Sequence, residues 1–141
     1  MKLLENKVAI ITGASSGIGR ATARLFAEQG AAVIINARGA EALEDVASAI
    51  RQAGGRVHPV VGDVTVAETH ARLTDAAMSV FGGLDIAVNN AGAVGATKPL
   101  AEISVEEWDH VITANLTSAF LGVRSQIPAM LKRGGGSVVF I

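Results

Sequence analysis

The sequence of 141 residues contains no cysteine, which excludes a disulfide framework, a thiolate zinc cluster and a thiol nucleophile. Redox chemistry would need a borrowed cofactor. Neither sign of charge dominates: 12 Lys and Arg stand against 13 Asp and Glu, interspersed, for a formal net charge of -1. That balance excludes the footprint of a nucleic-acid or membrane binder and points to a small-molecule partner. No apolar run approaches the roughly 20 residues that a bilayer span requires, and Met1 to Lys7 is polar and charged. A soluble, untargeted, cytoplasmic protein is the expectation. His58, His70 and His110 lack metal-ligand spacing; they read as scattered surface or half-buried side chains, and no metal site is expected. Tyrosine is absent as well.

What is present is 50% hydrophobic residues and 16 glycines, a composition that suits a single compact α/β domain with many tight turns. Short runs rich in Val and Ile alternate with longer amphipathic segments, the pattern of βαβ units around a parallel sheet buried on both faces. Strands are expected at Val8 to Ile11, Ala32 to Ile35, Val57 to Val61, Leu84 to Val88 and Ser137 to Ile141. Between them, Ile18, Ala21, Thr22, Leu25 and Phe26 share one helical face. Leu43, Val46, Ala47 and Ile50 outline a second helix, and Val66, Leu73, Ala77 and Val80 a third that Gly82 and Gly83 would end. Ser104 and Glu107 form a capping-box signature for a fourth. Its pattern runs through Trp108, Ile112, Leu116, Phe120, Val123 and Ile127 to the turn at Gly134 to Gly136, with Pro128 placed to kink it. Trp108, Val105 and Ile112 read as a packing face. The apolar run Ser137 to Ile141 reads as a strand with nothing after it, so the domain is expected to be cut before it is finished.

The chemistry-bearing element is the turn after the first strand, Thr12-Gly13-Ala14-Ser15-Ser16-Gly17-Ile18-Gly19. Gly13 permits a sharp exit from the strand, Gly17 a close approach of backbone to a pyrophosphate, and Gly19 tight packing of helix on sheet. Amides at the helix N-terminus, at the positive end of its dipole, would hold phosphate.

Gly-x-x-x-Gly-x-Gly between a Val/Ile strand and an amphipathic helix resembles the short-chain dehydrogenase/reductase family. Asn89-Asn90-Ala91-Gly92 after the fourth strand, Asp63-Val64 after the third and Asn115 in the long helix agree with that resemblance, which runs the length of the chain. The resemblance implies a Rossmann-type doubly wound parallel sheet, with five strands in the order 3-2-1-4-5 and the C-terminal strands missing. It implies that Thr12, Gly13, Ser15, Ser16, Gly17, Ile18 and Gly19 surround the cofactor phosphates. Asp63 would accept a hydrogen bond from the adenine amino group and Val64 would line the adenine slot, although Asp63 also reads as a cap for the helix that follows. Asn90, Ala91 and Gly92 would run past the cofactor ribose, while Asn89 would tie the sheet together through hydrogen bonds to backbone.

Cofactor choice is implied by the end of the second strand, Ile35-Asn36-Ala37-Arg38. NAD-selective members place a carboxylate at the position of Ala37; its absence, with Arg38 next to it, favours NADP(H), with NAD(H) as the alternative and a solvated loop cation as the plain reading of Arg38. Asn115 matches the asparagine of the family's Asn-Ser-Tyr-Lys group, where the backbone carbonyl holds a water in a proton relay; otherwise it is a polar residue at a helix kink. The resemblance implies hydride transfer between nicotinamide and a small carbonyl or alcohol substrate. The family's serine, tyrosine and lysine would all fall after Ile141, so the chain alone is expected to be inactive. A non-catalytic dinucleotide-binding module is the alternative. A homo-oligomer, dimer or tetramer, is also implied, with Phe120 and Val123 at the interface.

Overall fold

The computed structural model describes residues 1–141. Its sheet consists of β1 (Val8–Ile11), β2 (Ala32–Ala37), β3 (Arg56–Val61), β4 (Ile86–Asn89) and β5 (Ser137–Phe140), ordered β3-β2-β1-β4-β5 with every pairing parallel. The expected order is therefore observed. β2 extends two residues past Ile35, to Ala37, because Ala37 continues in register opposite Val61. Crossover helices α1 (Gly17–Glu28), α2 (Ala40–Gln52) and α3 (Ala67–Phe81) are followed by α4 (Val105–Ile112) and α5 (Ser118–Leu131).

Alternation along the buried strands divides the core between the two faces of the sheet. Ala9, Ile11, Val33 and Ile35 point to α1 and α2, where Leu43, Val46, Ala47 and Ile50 meet them as the helical spacing predicts. Val8, Ile10, Ala32 and Ile34 point the other way, to Leu73 and Ala77 of α3 and Ala129 and Met130 of α5. Period-two strands with both faces covered account for the continuous Val/Ile runs.

The buried face of α1 differs from the expected one. Gly19, Ala23 and Ala27 are buried, whereas Ile18 and Leu25 are more than half exposed. Small residues let the helix axis approach the sheet closely, and the larger side chains are turned outward. On α3, Leu73 and Ala77 are buried as the spacing predicts, together with Thr69, His70 and Thr74, while Val80 and the N-cap residue Val66 are exposed. His70, expected at the surface or half-buried, is thus a core residue.

The fourth helical pattern is two helices joined by a π-helical turn, Thr113–Thr117, in which the Ser118 amide donates to the Thr113 carbonyl. The interruption falls at Asn115 and not at Pro128, through which α5 continues. The predicted capping box at Ser104 and Glu107 is formed in both directions. Trp108 and Val105 do not form a packing face within this chain: they are 56% and 75% exposed, and α4 buries none of its residues. No helix is long and apolar enough to cross a membrane.

Candidate nucleotide-binding cleft

A cleft of about 1050 Å³ opens at the carboxyl ends of β1, β2, β3 and β4. Its floor is the β1–α1 turn. Gly13 there has φ +63, a conformation costly for other residues, and a Cβ at Gly19 would lie 2.2 Å from the Gly13 carbonyl oxygen. Only hydrogen fits at position 19. Gly13, Ser15, Ser16, Gly17 and Ile18 line the cleft, whereas Thr12 and Gly19 stand behind its wall. Ser16 precedes α1 without capping it through its side chain, and no acidic residue occupies the first turn. The first amides of the helix are therefore left for an anion.

The next wall follows β4. The Thr12 hydroxyl accepts from the amides of Asn90 and Ala91, both at 3.0 Å, while Asn90 Nδ2 donates to the carbonyls of Thr12 and Gly13 at 2.9 and 3.2 Å. These bonds fix the glycine turn against the segment of Asn90, Ala91 and Gly92, all of which line the cleft. The tie to backbone expected of Asn89 is thus made by Asn90. Asn89 instead pairs with a side chain: its Nδ2 donates to Gln126 Oε1 at 3.0 Å and its Oδ1 accepts from Gln126 Nε2 at 2.8 Å, both residues being buried. A paired amide satisfies the donor and acceptor of each partner between β4 and α5.

Asn115 does not line the cleft. Its side chain donates to the carbonyls of Ala93 and Val111, both at 2.9 Å, and accepts from the Ala93 amide at 3.3 Å. A Cβ at Gly92 would sit 2.4 Å from Asn115 Oδ1, so this clamp holds the strand extension close to the π turn.

The third wall follows β2 and β3. Asp63 does not cap α3, whose N-cap is Val66; its Oδ1 accepts from the Thr65 amide at 2.9 Å and the Thr65 hydroxyl at 2.8 Å. Those bonds, with a smaller contribution from Arg38, hold its carboxyl below the ordinary aspartate range. Oδ2 takes no protein partner and Asp63 lines the cleft beside Val64, so the carboxylate keeps a free acceptor at this wall. Arg38, exposed and in no ion pair, stands across from it at the end of β2. Asn36 is 1% exposed and braces this corner, donating to Val60 and Gly62 carbonyls at 3.0 and 3.1 Å.

Sequence reasoning missed the fourth wall, made by Glu106, Asp109, His110 and Thr113. Their spacing is that of one helical face, a polar stripe beside the exposed Trp108. That stripe was the available signal.

A glycine turn opening a helix, in a cleft at the point where strand order reverses, with an acceptor and a cation at the far end, defines a Rossmann-type dinucleotide-binding architecture. The short chain dehydrogenase family pattern matches residues 7–141. This chain belongs to the short-chain dehydrogenase family. It is 46% identical over 133 residues to a cis-4-hydroxycyclohexanecarboxylate dehydrogenase of Sinomonas cyclohexanicum, covering 94% of this chain and 53% of that one. A cyclohexanol dehydrogenase of Acinetobacter sp. (strain SE19) is 40% identical over 134 residues, covering 95% and 53%. Among solved structures, a 7 alpha-hydroxysteroid dehydrogenase complexed with NADH and 7-oxo glycochenodeoxycholic acid superposes with a TM-score of 0.92 at 37% identity, over 98% of this chain and 53% of that chain. The chain spans about half the length of the curated relatives it matches.

Proposed function

We propose that these residues are the nucleotide-binding part of an NADP(H)-dependent short-chain oxidoreductase, within a single Rossmann domain. One observation carries the reading: the uncapped α1 terminus, the free Oδ2 of Asp63 and the unpaired Arg38 line one cleft. The amides of the glycine turn would hold the pyrophosphate, Asp63 the adenine amino group, Val64 one side of the base, and Asn90, Ala91 and Gly92 the nicotinamide-side ribose. Arg38 would pair with a 2′-phosphate, which the methyl group of Ala37 does not repel.

A bound nicotinamide dinucleotide supplies the hydride donor or acceptor. Asn115 belongs to the catalytic group of the whole protein, held by its clamp on Ala93. The chain has no tyrosine to serve as general acid or base, so binding without turnover is expected of these 141 residues. The cyclohexanol, hydroxycyclohexanecarboxylate and hydroxysteroid dehydrogenases share a ring-borne hydroxyl or oxo group in what they are named for, and we extend this to the parent's substrate: an alicyclic secondary alcohol or its ketone. Leu116, Phe120 and Ile127 form an exposed apolar row along the π turn and α5, suited to a second copy of the chain in a homo-oligomer.

The test of the cofactor assignment is calorimetric titration of the chain and Arg38→Asp with NADP⁺ and NAD⁺. Losing a charge-assisted pair and meeting a like charge weakens NADP⁺ binding by about 100-fold. NAD⁺ binding changes by less than about threefold. Equal losses for the two cofactors refute the assignment.

A further inference from the structure

The segment from Val60 to Thr65 carries the Asp63 wall, and every carbonyl from Val60 to Val64 has a donor. Asn36 serves Val60 and Gly62, Arg72 Nη1 serves Val61 at 3.0 Å, and the Val66 amide serves Asp63 at 3.1 Å. The donor to Val64 is a side chain of α3: His70 Nε2 lies 2.8 Å from the Val64 carbonyl oxygen. A carbonyl only accepts, so Nε2 carries the proton, and the neutral imidazole is left with a bare Nδ1. That Nδ1 is buried with no partner, on a residue only 2% exposed.

An apolar side chain would fill this place without a polar atom left over, so packing alone does not call for histidine. Its backbone is anchored from α5 and from its own helix: Ser125 Oγ and Thr74 Oγ1 each donate to the His70 carbonyl at 3.1 Å. Thr69, next in line, packs under Gly62, where a Cβ would meet its side chain at 2.8 Å. The imidazole is therefore a fixed strut between the α3–α5 layer and the turn that presents Asp63.

We propose that His70 is a positioning residue for recognition of the nucleotide base: by holding the Val64 carbonyl it keeps the free acceptor of Asp63 at the cleft wall, and so sets the preference for a purine bearing an exocyclic amino group. The inference rests on the dinucleotide reading above. Hypoxanthine replaces the amino donor of adenine with an oxygen acceptor, so the ratio of affinities for NADP⁺ and its hypoxanthine analogue reports whether Asp63 is in place.

Calorimetric titration of the full chain gives a preference for NADP⁺ of roughly tenfold or more, the value of one hydrogen bond to a charged acceptor. His70→Leu collapses this ratio to within about threefold of unity, whereas His70→Gln, whose amide nitrogen can reach the Val64 carbonyl, retains it. Leu73→Ala, a core truncation away from the turn, lowers the melting temperature and leaves the ratio unchanged. An intact ratio in His70→Leu overturns the role of His70 and spares the cofactor reading. Absence of binding in the unmodified chain overturns both. Should His70→Leu not fold, nitrogen NMR of the unmodified chain decides: an imidazole protonated at Nδ1, or one shifted equally by NADP⁺ and its analogue, overturns the proposal.

Discussion

Replacing Gly19 by Ala adds one methyl group at the most crowded point of the glycine turn. The new Cβ would lie 2.2 Å from the Gly13 carbonyl oxygen and 2.5 Å from Asn90 Nδ2, and the carbonyl must recede by about 1 Å to reach ordinary contact. Neither neighbour can swing aside: the carbonyl is main chain, and the Asn90 amide is bonded to the carbonyls of both Thr12 and Gly13. Overpacking against backbone costs about 3 kcal/mol, and the better helix propensity of alanine returns about 1 kcal/mol, for a net loss near 2 kcal/mol. At roughly 3 °C per kcal/mol for a domain of this size, melting falls by about 6 °C. Dinucleotide affinity falls at least tenfold, because the displaced turn carries the phosphate-facing amides. Scanning calorimetry with and without NADP⁺ measures both effects. Gly39→Ala, at a glycine with nothing within 4 Å of its added Cβ, is the control: as the N-cap of α2 it costs about 1 kcal/mol, for a shift in melting of about 3 °C, and leaves the glycine turn in place. Unchanged melting and affinity in Gly19→Ala refute the close helix-to-turn approach.

Gln126→Leu strands the buried Asn89 amide and costs about 2 kcal/mol in urea unfolding; adding Asn89→Leu recovers part of that loss, and strictly additive losses in the double-mutant cycle contradict a reciprocal pair. Burial holds the His70 pKa below 6.5, so the unfolded chain takes up a proton first as pH falls. Its contribution to stability is complete above that value and declines below it, before Asp63 and Glu107 titrate; His70→Gln flattens the decline, and an equal slope in both proteins refutes the assignment. Phe120→Arg places a charge in the exposed row on α5 and shifts sedimentation toward the monomer, whereas an unchanged profile excludes that face as the contact between copies.

The sheet was readable in the sequence because buried parallel strands leave continuous Val/Ile runs, and α2 because one apolar stripe meets one sheet face. The buried faces of α1 and α3 are legible only in part, for a shared reason: Phe26, Leu73 and Ala77 meet the core as their spacing predicts, while the rest of each face does not follow it. Apolar periodicity identifies large side chains, yet these helices approach the sheet through Gly19, Ala23 and Ala27 or through Thr69, His70 and Thr74. Hydrophobicity does not report close approach or internal hydrogen bonding. The same limit hid the Asn89–Gln126 pair, since nothing local in the sequence couples residues 37 positions apart.

The candidate site divides along the same physical line. Gly13, Gly19 and the Asn90 segment were legible because each demand is local: a positive φ, a missing Cβ, an amide beside a turn. The α4 wall and His70 were not, because their meaning depends on what the fold sets opposite them. Glu106, Asp109 and His110 look like a solvated helix face until β3 brings Asp63 across the cleft from them. His70 looks like one of several scattered histidines until α5 closes over α3 and leaves the Val64 carbonyl as the one partner its ring finds. Motif residues thus define which ligand class the cleft can take, while residues outside the motifs, supplied by packing between layers, hold those motif residues at the angle the ligand requires.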